Sequence, residues 1–309
     1  MITSVFKKST PINYSLMIIL VLSFFFLYQF QAHQWSNSLL EVGKKVGLLL
    51  IILGSFFLSN FIVKKNGLTK DSGYTTLFYL ILMLIFPSIW NNYNLILSNF
   101  FILLALRRLV SLQNLNAPKE KIFDASLWIF AASLFQFWAI LFFFIVYFSI
   151  IFHVSRDYRN WLLPFIAFFT SVIIFLFYAL LIDKSLLSNY LEKRTIYLEL
   201  DYFQNDFQNI ALSVFAVFVA FFISTAIFSL TNKPLNLQST YKKILFSFFI
   251  GIIIFIISPN KSNDMLIFTF FPLSVMATNY IEYNKYKIQK EIVLSVSIIL
   301  ALFCFYMQL

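Results

Sequence analysis

Residues 125–153 read ASLWIFAASLFQFWAILFFFIVYFSIIFH, an apolar run without a single acidic side chain, lysine or arginine. A helix rises about 1.5 Å per residue, so roughly 20 apolar residues cross a hydrocarbon core of about 30 Å. The run is longer than one upright helix requires and shorter than two full spans. It predicts either one tilted helix or two short helices that break near Gln136 and Phe137.

The whole chain shares this apolar character. Of its 309 residues, 61% are hydrophobic and 12% are charged, whereas soluble domains carry roughly 25% charged residues. The composition therefore predicts an all-α, polytopic bundle of transmembrane helices that forms a single integral membrane domain over residues 1–309. A transmembrane barrel would need alternating strands separated by turns, and the chain has only 6 glycines.

Eleven apolar segments are predicted, and the first of them is read as a retained helix rather than a cleaved signal peptide. Their approximate ranges are 13–30, 46–63, 74–90, 95–110, 125–137, 138–153, 162–182, 208–230, 244–258, 264–280 and 292–308.

The lysines and arginines predict the orientation. With the N-terminus in the cytoplasm, 17 of the 23 basic residues fall in inward segments, as the positive-inside rule expects. A single helix over 125–153 would lower that number to 13, so the charges favour two short helices, eleven spans and an N-in, C-out topology. The net charge of +10 is then a topology signal and does not indicate nucleic-acid binding.

Three parts of the chain are distinguished: a core over about 1–182, an outward segment over 183–207 and C-terminal helices over 208–309. The outward segment alternates aromatic and charged residues, which is typical of an interfacial helix or a short extended segment on the membrane surface.

The chain carries neither a P-loop nor a dinucleotide-binding glycine pattern, and it has only two histidines, His33 and His153. No metal site and no cofactor are predicted from these residues, since embedded metal sites need several ligands. Four arginines are expected to be cytoplasmic membrane anchors or contacts to a lipid phosphate: Arg107, Arg108, Arg156 and Arg159.

Residues 84–113, LIFPSIWNNYNLILSNFFILLALRRLVSLQ, and the paired short segments within 123–169 each close on a basic turn. Over roughly residues 75–182 this layout resembles the C-type (GT-C) polyprenyl-phosphate-sugar glycosyltransferases. The chain also resembles uncharacterised multi-pass proteins of flavobacteria and their relatives, which implies a location in a bacterial inner membrane.

The resemblance to the transferases implies an acidic residue in an outward loop that acts as base or metal ligand, with outward basic residues on the phosphate. Glu41 and Asp264 are the candidates for the acidic role. The candidates for the phosphate contacts are Lys44, Lys45, Lys261 and Arg194. A divalent metal would be a cofactor only in this interpretation. The spacing of Glu41 and Lys45 equally predicts an ordinary pair on one helix face.

Two functions stay open at this stage. One is a non-catalytic scaffold or accessory subunit of an envelope complex, which binds other membrane proteins and a membrane lipid such as polyprenyl phosphate. The other is a glycosyltransferase that uses a polyprenyl-phosphate-linked sugar at the periplasmic face. The missing acidic pair in the first outward loop favours the scaffold, and the paired short helices favour the transferase.

Overall fold

The computed structural model describes residues 2–31, 39–196, 205–259 and 261–309, and within these ranges the chain is helical almost throughout. Thirteen α-helices are present there: α1 (Ile2–Phe6), α2 (Pro11–Gln31), α3 (Leu39–Lys65), α4 (Tyr74–Ile85), α5 (Tyr93–Val110), α6 (Pro118–Phe135), α7 (Phe143–His153), α8 (Arg159–Ile182), α9 (Ser185–Glu192), α10 (Asp206–Leu230), α11 (Leu235–Ile257), α12 (Phe270–Tyr283) and α13 (Lys287–Met307). Short 3-10 helices cover Pro87–Asn91, Ser111–Asn114, Phe137–Phe142 and Asn263–Thr269.

Eight helical segments of the described chain are long and apolar enough to cross a membrane: Pro11–Gln31, Leu39–Lys65, Tyr93–Asn114, Arg159–Ile182, Asp206–Leu230, Leu235–Ile257, Asn263–Tyr283 and Lys287–Met307. Two shorter apolar helical segments cover Tyr74–Ile85 and Phe137–His153. The prediction of an all-α, multi-pass membrane protein is therefore confirmed. The count of eleven spans, the N-in orientation and the GT-C-like core stay predictions.

The helices form two compact units, each assembled from separate stretches of the chain. The first unit takes residues 1–96, 200–232 and 270–309, and the second takes residues 97–199 and 233–269. The outward segment predicted over 183–207 forms α9 in its first part, while residues 197–204 lie outside the described ranges.

Helix α4 is the centre of the first unit, because all of its residues are buried. With 12 residues it is about 18 Å long and too short to cross a hydrocarbon core of about 30 Å by itself, and α3, α10, α12 and α13 pack against it. Phe78 meets Phe222 of α10 with ring centres 5.6 Å apart, and Tyr79 meets Phe56 of α3 at 5.0 Å. Helix α4 ends before Pro87, whose ring excludes the helical conformation at Phe86.

The second unit contains the break in the apolar run of 125–153. Helix α6 ends at Phe135, and Gln136 is extended with φ −128° and ψ 105°. The Gln136 side chain donates a hydrogen bond of 3.1 Å from its Nε2 to the Ser258 hydroxyl, at the end of α11. A break at Gln136 was predicted from the basic residues, and this hydrogen bond gives its local cause.

Lys243 of α11 is fully buried in the second unit, although the sequence analysis placed it in a cytoplasmic connection. Its ammonium donates a hydrogen bond of 2.7 Å to the backbone carbonyl of Leu109 in the last turn of α5. Carbonyls in the last turn of a helix lack an intrahelical partner. Lys243 therefore serves as a C-terminal cap of α5 within the unit.

Gly251 allows α11 to approach the 3-10 helix Asn263–Thr269 closely. A Cβ atom at this position would lie 2.7 Å from Cγ2 of Thr269 and 3.2 Å from the backbone of Phe268. Small residues permit this kind of close contact between helices in membrane proteins.

We expect Gly251→Ala to lower the free energy of unfolding by about 1–3 kcal/mol, because backbone atoms of the 3-10 helix would have to move. Thermal unfolding of the detergent-purified protein, followed by tryptophan fluorescence, measures the effect. Gly47→Ala in α3 is the matched control, because nothing lies within 4 Å of a Cβ there. An unchanged unfolding temperature for Gly251→Ala would contradict the close packing of α11.

Candidate functional site

The first group of predicted site residues lies at the start of α3. Glu41 and Lys44 are exposed, and Lys45 is half-buried. Glu41 acts electrostatically on Tyr93, at the start of α5. His33, which belongs to the same predicted loop, lies outside the described residues.

The second group of predicted residues belongs to the other compact unit. Asp264 is buried in the 3-10 helix Asn263–Thr269, Lys261 is half-buried just before it, and Arg194 is exposed beyond the end of α9. The proposed acids Glu41 and Asp264 therefore come from different units. Their joint action in one site stays a prediction.

One of the predicted arginine anchors, Arg108, pairs with a local acid in the second unit. Arg108 forms an ion pair of 2.7 Å with Asp124 of α6. The backbone N–H of Arg159 donates to a carboxylate oxygen of Asp157, and Lys119 pairs with the same side chain at 3.1 Å. These two contacts hold the pKa of Asp157 below its usual range.

The structure also contains a site that the sequence analysis did not identify, and we call it the lysine cavity. It is a cavity of about 420 Å³ in the first unit, and four lysines are among the residues that line it. These lysines come from distant parts of the chain: Lys7 follows α1, Lys70 lies in the loop before α4, and Lys287 and Lys290 occupy the first turn of α13. Its volume is in the range of small-molecule sites.

Two carboxylates, Glu282 of α12 and Glu291 of α13, form the opposite charges of the lysine cavity. Glu282 accepts hydrogen bonds from the Lys70 backbone N–H at 2.7 Å and from the Ser72 hydroxyl at 2.5 Å. Glu291 accepts from the backbone N–H of Thr3 at 3.2 Å and from the Thr3 hydroxyl. Both carboxylates thus bind backbone and hydroxyl donors that belong to the walls.

Backbone contacts fix α1 as one wall of the cavity. The N–H of Gly73 donates to the carbonyl of Phe6 at 2.9 Å, and the N–H of Ser9 donates to the carbonyl of Asp71 at 3.3 Å. The Tyr74 hydroxyl donates a hydrogen bond of 2.5 Å to the carbonyl of Thr3. The N-terminal segment and the loop before α4 are therefore joined at several points, with Glu291 as a further anchor.

The positive charge of the lysines in the cavity is only partly compensated. None of the four takes part in a salt bridge between described residues. The charges of Lys7 and Lys70 act unfavourably on Lys290, whereas the charge of Glu282 acts favourably on it. Lys70 is held over the ring of Tyr283, with its ammonium 4.9 Å from the ring centre. Four positive and two negative side chains leave the cavity with a formal charge of +2.

The position of Lys287 and Lys290 adds to this positive potential. They stand in the first turn of α13, which contains no acidic residue, and no side chain caps this helix end. The N-terminus of a helix carries a partial positive charge that disfavours lysine and attracts anions. The arrangement favours an anionic ligand.

In the sequence, these lysines were counted only as positive-inside residues, because they come from three different segments of the chain. One local signal was available, namely two lysines in the first turn of a helix that contains no acidic residue. Metal binding has no comparable support: no group of three His, Cys, Asp or Glu side chains comes together in the described part of the chain.

The model of the family DUF6427, a family of unknown function, matches residues 1–309, and the chain belongs to this family. No curated protein and no solved structure matches the chain.

Glu291→Ala should loosen α1, because Thr3 would lose both hydrogen bonds to the carboxylate. A hydrogen bond to a charged group contributes about 1.5–3 kcal/mol, so we expect amide exchange in residues 2–6 to become at least tenfold faster. Hydrogen–deuterium exchange with mass spectrometry measures this. Glu120→Ala, at an exposed position of α6, is the control, and equal protection of α1 in both variants would refute the role of Glu291.

Proposed function

We propose that this member of DUF6427 is a non-catalytic, lipid-binding scaffold or accessory subunit of an envelope complex in the bacterial inner membrane. The lysine cavity is the site at which it holds the phosphate of a membrane lipid, with polyprenyl phosphate as one candidate. The proposal depends on one observation: four lysines from three separate segments of the chain line one cavity. None of these lysines forms a salt bridge with another described residue.

The site lies where a lipid headgroup could reach it. Lys287 begins α13 and Lys70 precedes α4, so both are at the ends of apolar helices. With the N-terminus in the cytoplasm, the four lysines belong to inward segments, where basic side chains meet anionic lipids. The positive potential of the cavity adds a specific site to this general attraction.

The proposal assigns a structural role to the acids of the cavity. Glu282 and Glu291 already accept hydrogen bonds from Lys70 N–H, Ser72 and Thr3. A general base needs to be within hydrogen-bond reach of a substrate proton, whereas these carboxylates bind the walls. Their arrangement supports binding rather than catalysis at this site.

The test is lipid binding by the purified full-length protein in mild detergent, measured by native mass spectrometry with dioleoyl phosphatidic acid as the probe. Lys287→Gln/Lys290→Gln removes two charges from the cavity. Each lysine near a membrane surface contributes about 1 kcal/mol, so we expect about thirtyfold weaker binding. Lys8→Gln/Lys285→Gln removes two nearby lysines that do not line the cavity and should leave binding unchanged. Equal binding by both double variants would refute the lysine cavity as the lipid site.

The transferase alternative predicts a different result at α3. If Glu41 acts as a base, Glu41→Ala should abolish a surface glycan while the protein level stays constant, and Lys44→Ala should weaken its synthesis. Under the scaffold proposal Glu41→Ala changes neither, since Glu41 is an exposed residue in the first turn of α3. Glycan staining of cells that carry each variant, normalised to membrane protein level, separates the two outcomes.

A further inference from the structure

The charge of the lysine cavity indicates which kind of phosphate it takes. Four ammonium groups and two carboxylates give a formal charge of +2. A terminal phosphomonoester carries about −1.5 to −2 charges at pH 7 and exposes three acceptor oxygens. A phosphodiester carries one negative charge and has two unesterified oxygens, so it would leave the cavity positive.

The type of basic side chain also favours a phosphomonoester, in agreement with the formal charge of the cavity. All four cations are lysines, which act as separate point charges, whereas arginine would bind in a planar, bidentate manner. Lys7, Lys70 and the α13 pair approach the cavity from three segments of the chain. Ammonium groups that arrive from several sides suit an end-on phosphate whose oxygens point in different directions.

The two acids set the formal charge of the cavity and are anchored in its walls. Glu282 is bound by Lys70 N–H and the Ser72 hydroxyl, and Glu291 by Thr3. Lys290 experiences unfavourable charge from Lys7 and Lys70 and favourable charge from Glu282. A doubly charged anion relieves more of the repulsion among the lysines than a singly charged one.

We propose that the lysine cavity selects a doubly charged terminal phosphomonoester over a phosphodiester, whether the monoester is the head of a lipid or a small soluble molecule. This inference rests on the proposed function, since it concerns the same site. It narrows the ligand from any anionic lipid to one class of phosphate ester.

The experiment compares dioleoyl phosphatidic acid with dioleoyl phosphatidylglycerol, which share their acyl chains and differ in the phosphate ester. Binding to the purified full-length protein is titrated at pH 8, where the monoester is doubly charged. We expect the monoester to bind the wild-type protein about tenfold more tightly. Lys290→Gln should reduce this preference to below threefold, because the cavity then carries +1, and Lys285→Gln should preserve it.

A parallel titration with glycerol 3-phosphate identifies the source of the phosphate. Displacement of phosphatidic acid by about 1 mM glycerol 3-phosphate would support a soluble phosphomonoester, and no displacement would support a lipid headgroup. Equal affinity for the two lipids, with both weakened by Lys290→Gln, would overturn the monoester inference and leave lipid binding at the cavity intact. Binding that no lysine variant changes would overturn the proposed function itself.

Discussion

The burial of α4 on every side is the constraint on which the first unit depends. With 12 residues this apolar helix is about 18 Å long and too short to cross a hydrocarbon core of about 30 Å alone, and α3, α10, α12 and α13 enclose it. Its N-terminal end carries Tyr74, whose hydroxyl donates to the carbonyl of Thr3. The helix that organises the core therefore also positions the N-terminal segment beside α13.

This connection explains how residues far apart in sequence come to form one cavity. The loop before α4 carries Lys70 and Ser72 to Glu282 of α12, and Thr3 binds Glu291 of α13. Each glutamate joins an enclosing helix to a segment from a distant part of the chain. The two acids thus help to bring the lysines together, and they compensate part of the positive charge.

The sequence predicts the helical architecture well because apolar length and charge placement are local properties. The count of basic residues predicted that the run 125–153 is broken near Gln136, and α6 ends at Phe135, although the hydrogen bond of Gln136 to Ser258 could not be predicted. The burial of Lys243 was missed, since nothing in its neighbourhood indicates that a carbonyl of α5 lies within reach. Long-range contacts of this kind depend on packing, which a hydropathy profile does not contain.

The candidate site depends on long-range packing even more than the helices do, so it was harder to predict from the sequence. The prediction selected Glu41 and Asp264 by resemblance, and these residues belong to different units. The lysine cavity, by contrast, combines Lys7, Lys70 and the first turn of α13, and no sequence window contains all of them. The positive-inside rule already explains the position of each lysine in the sequence. No sequence pattern therefore indicated that the lysines share one site.

Membrane orientation does not explain why these lysines share one cavity. The positive-inside rule depends on the number of basic residues in a loop and is satisfied wherever their side chains point. Convergence adds mutual repulsion, as Lys290 experiences from Lys7 and Lys70, and it places Lys287 and Lys290 at the unfavourable end of the α13 dipole. Lysines needed only for membrane orientation could avoid the repulsion by pointing apart. An anion bound among them would offset both costs, and this is the physical argument for the proposal that the cavity is a binding site.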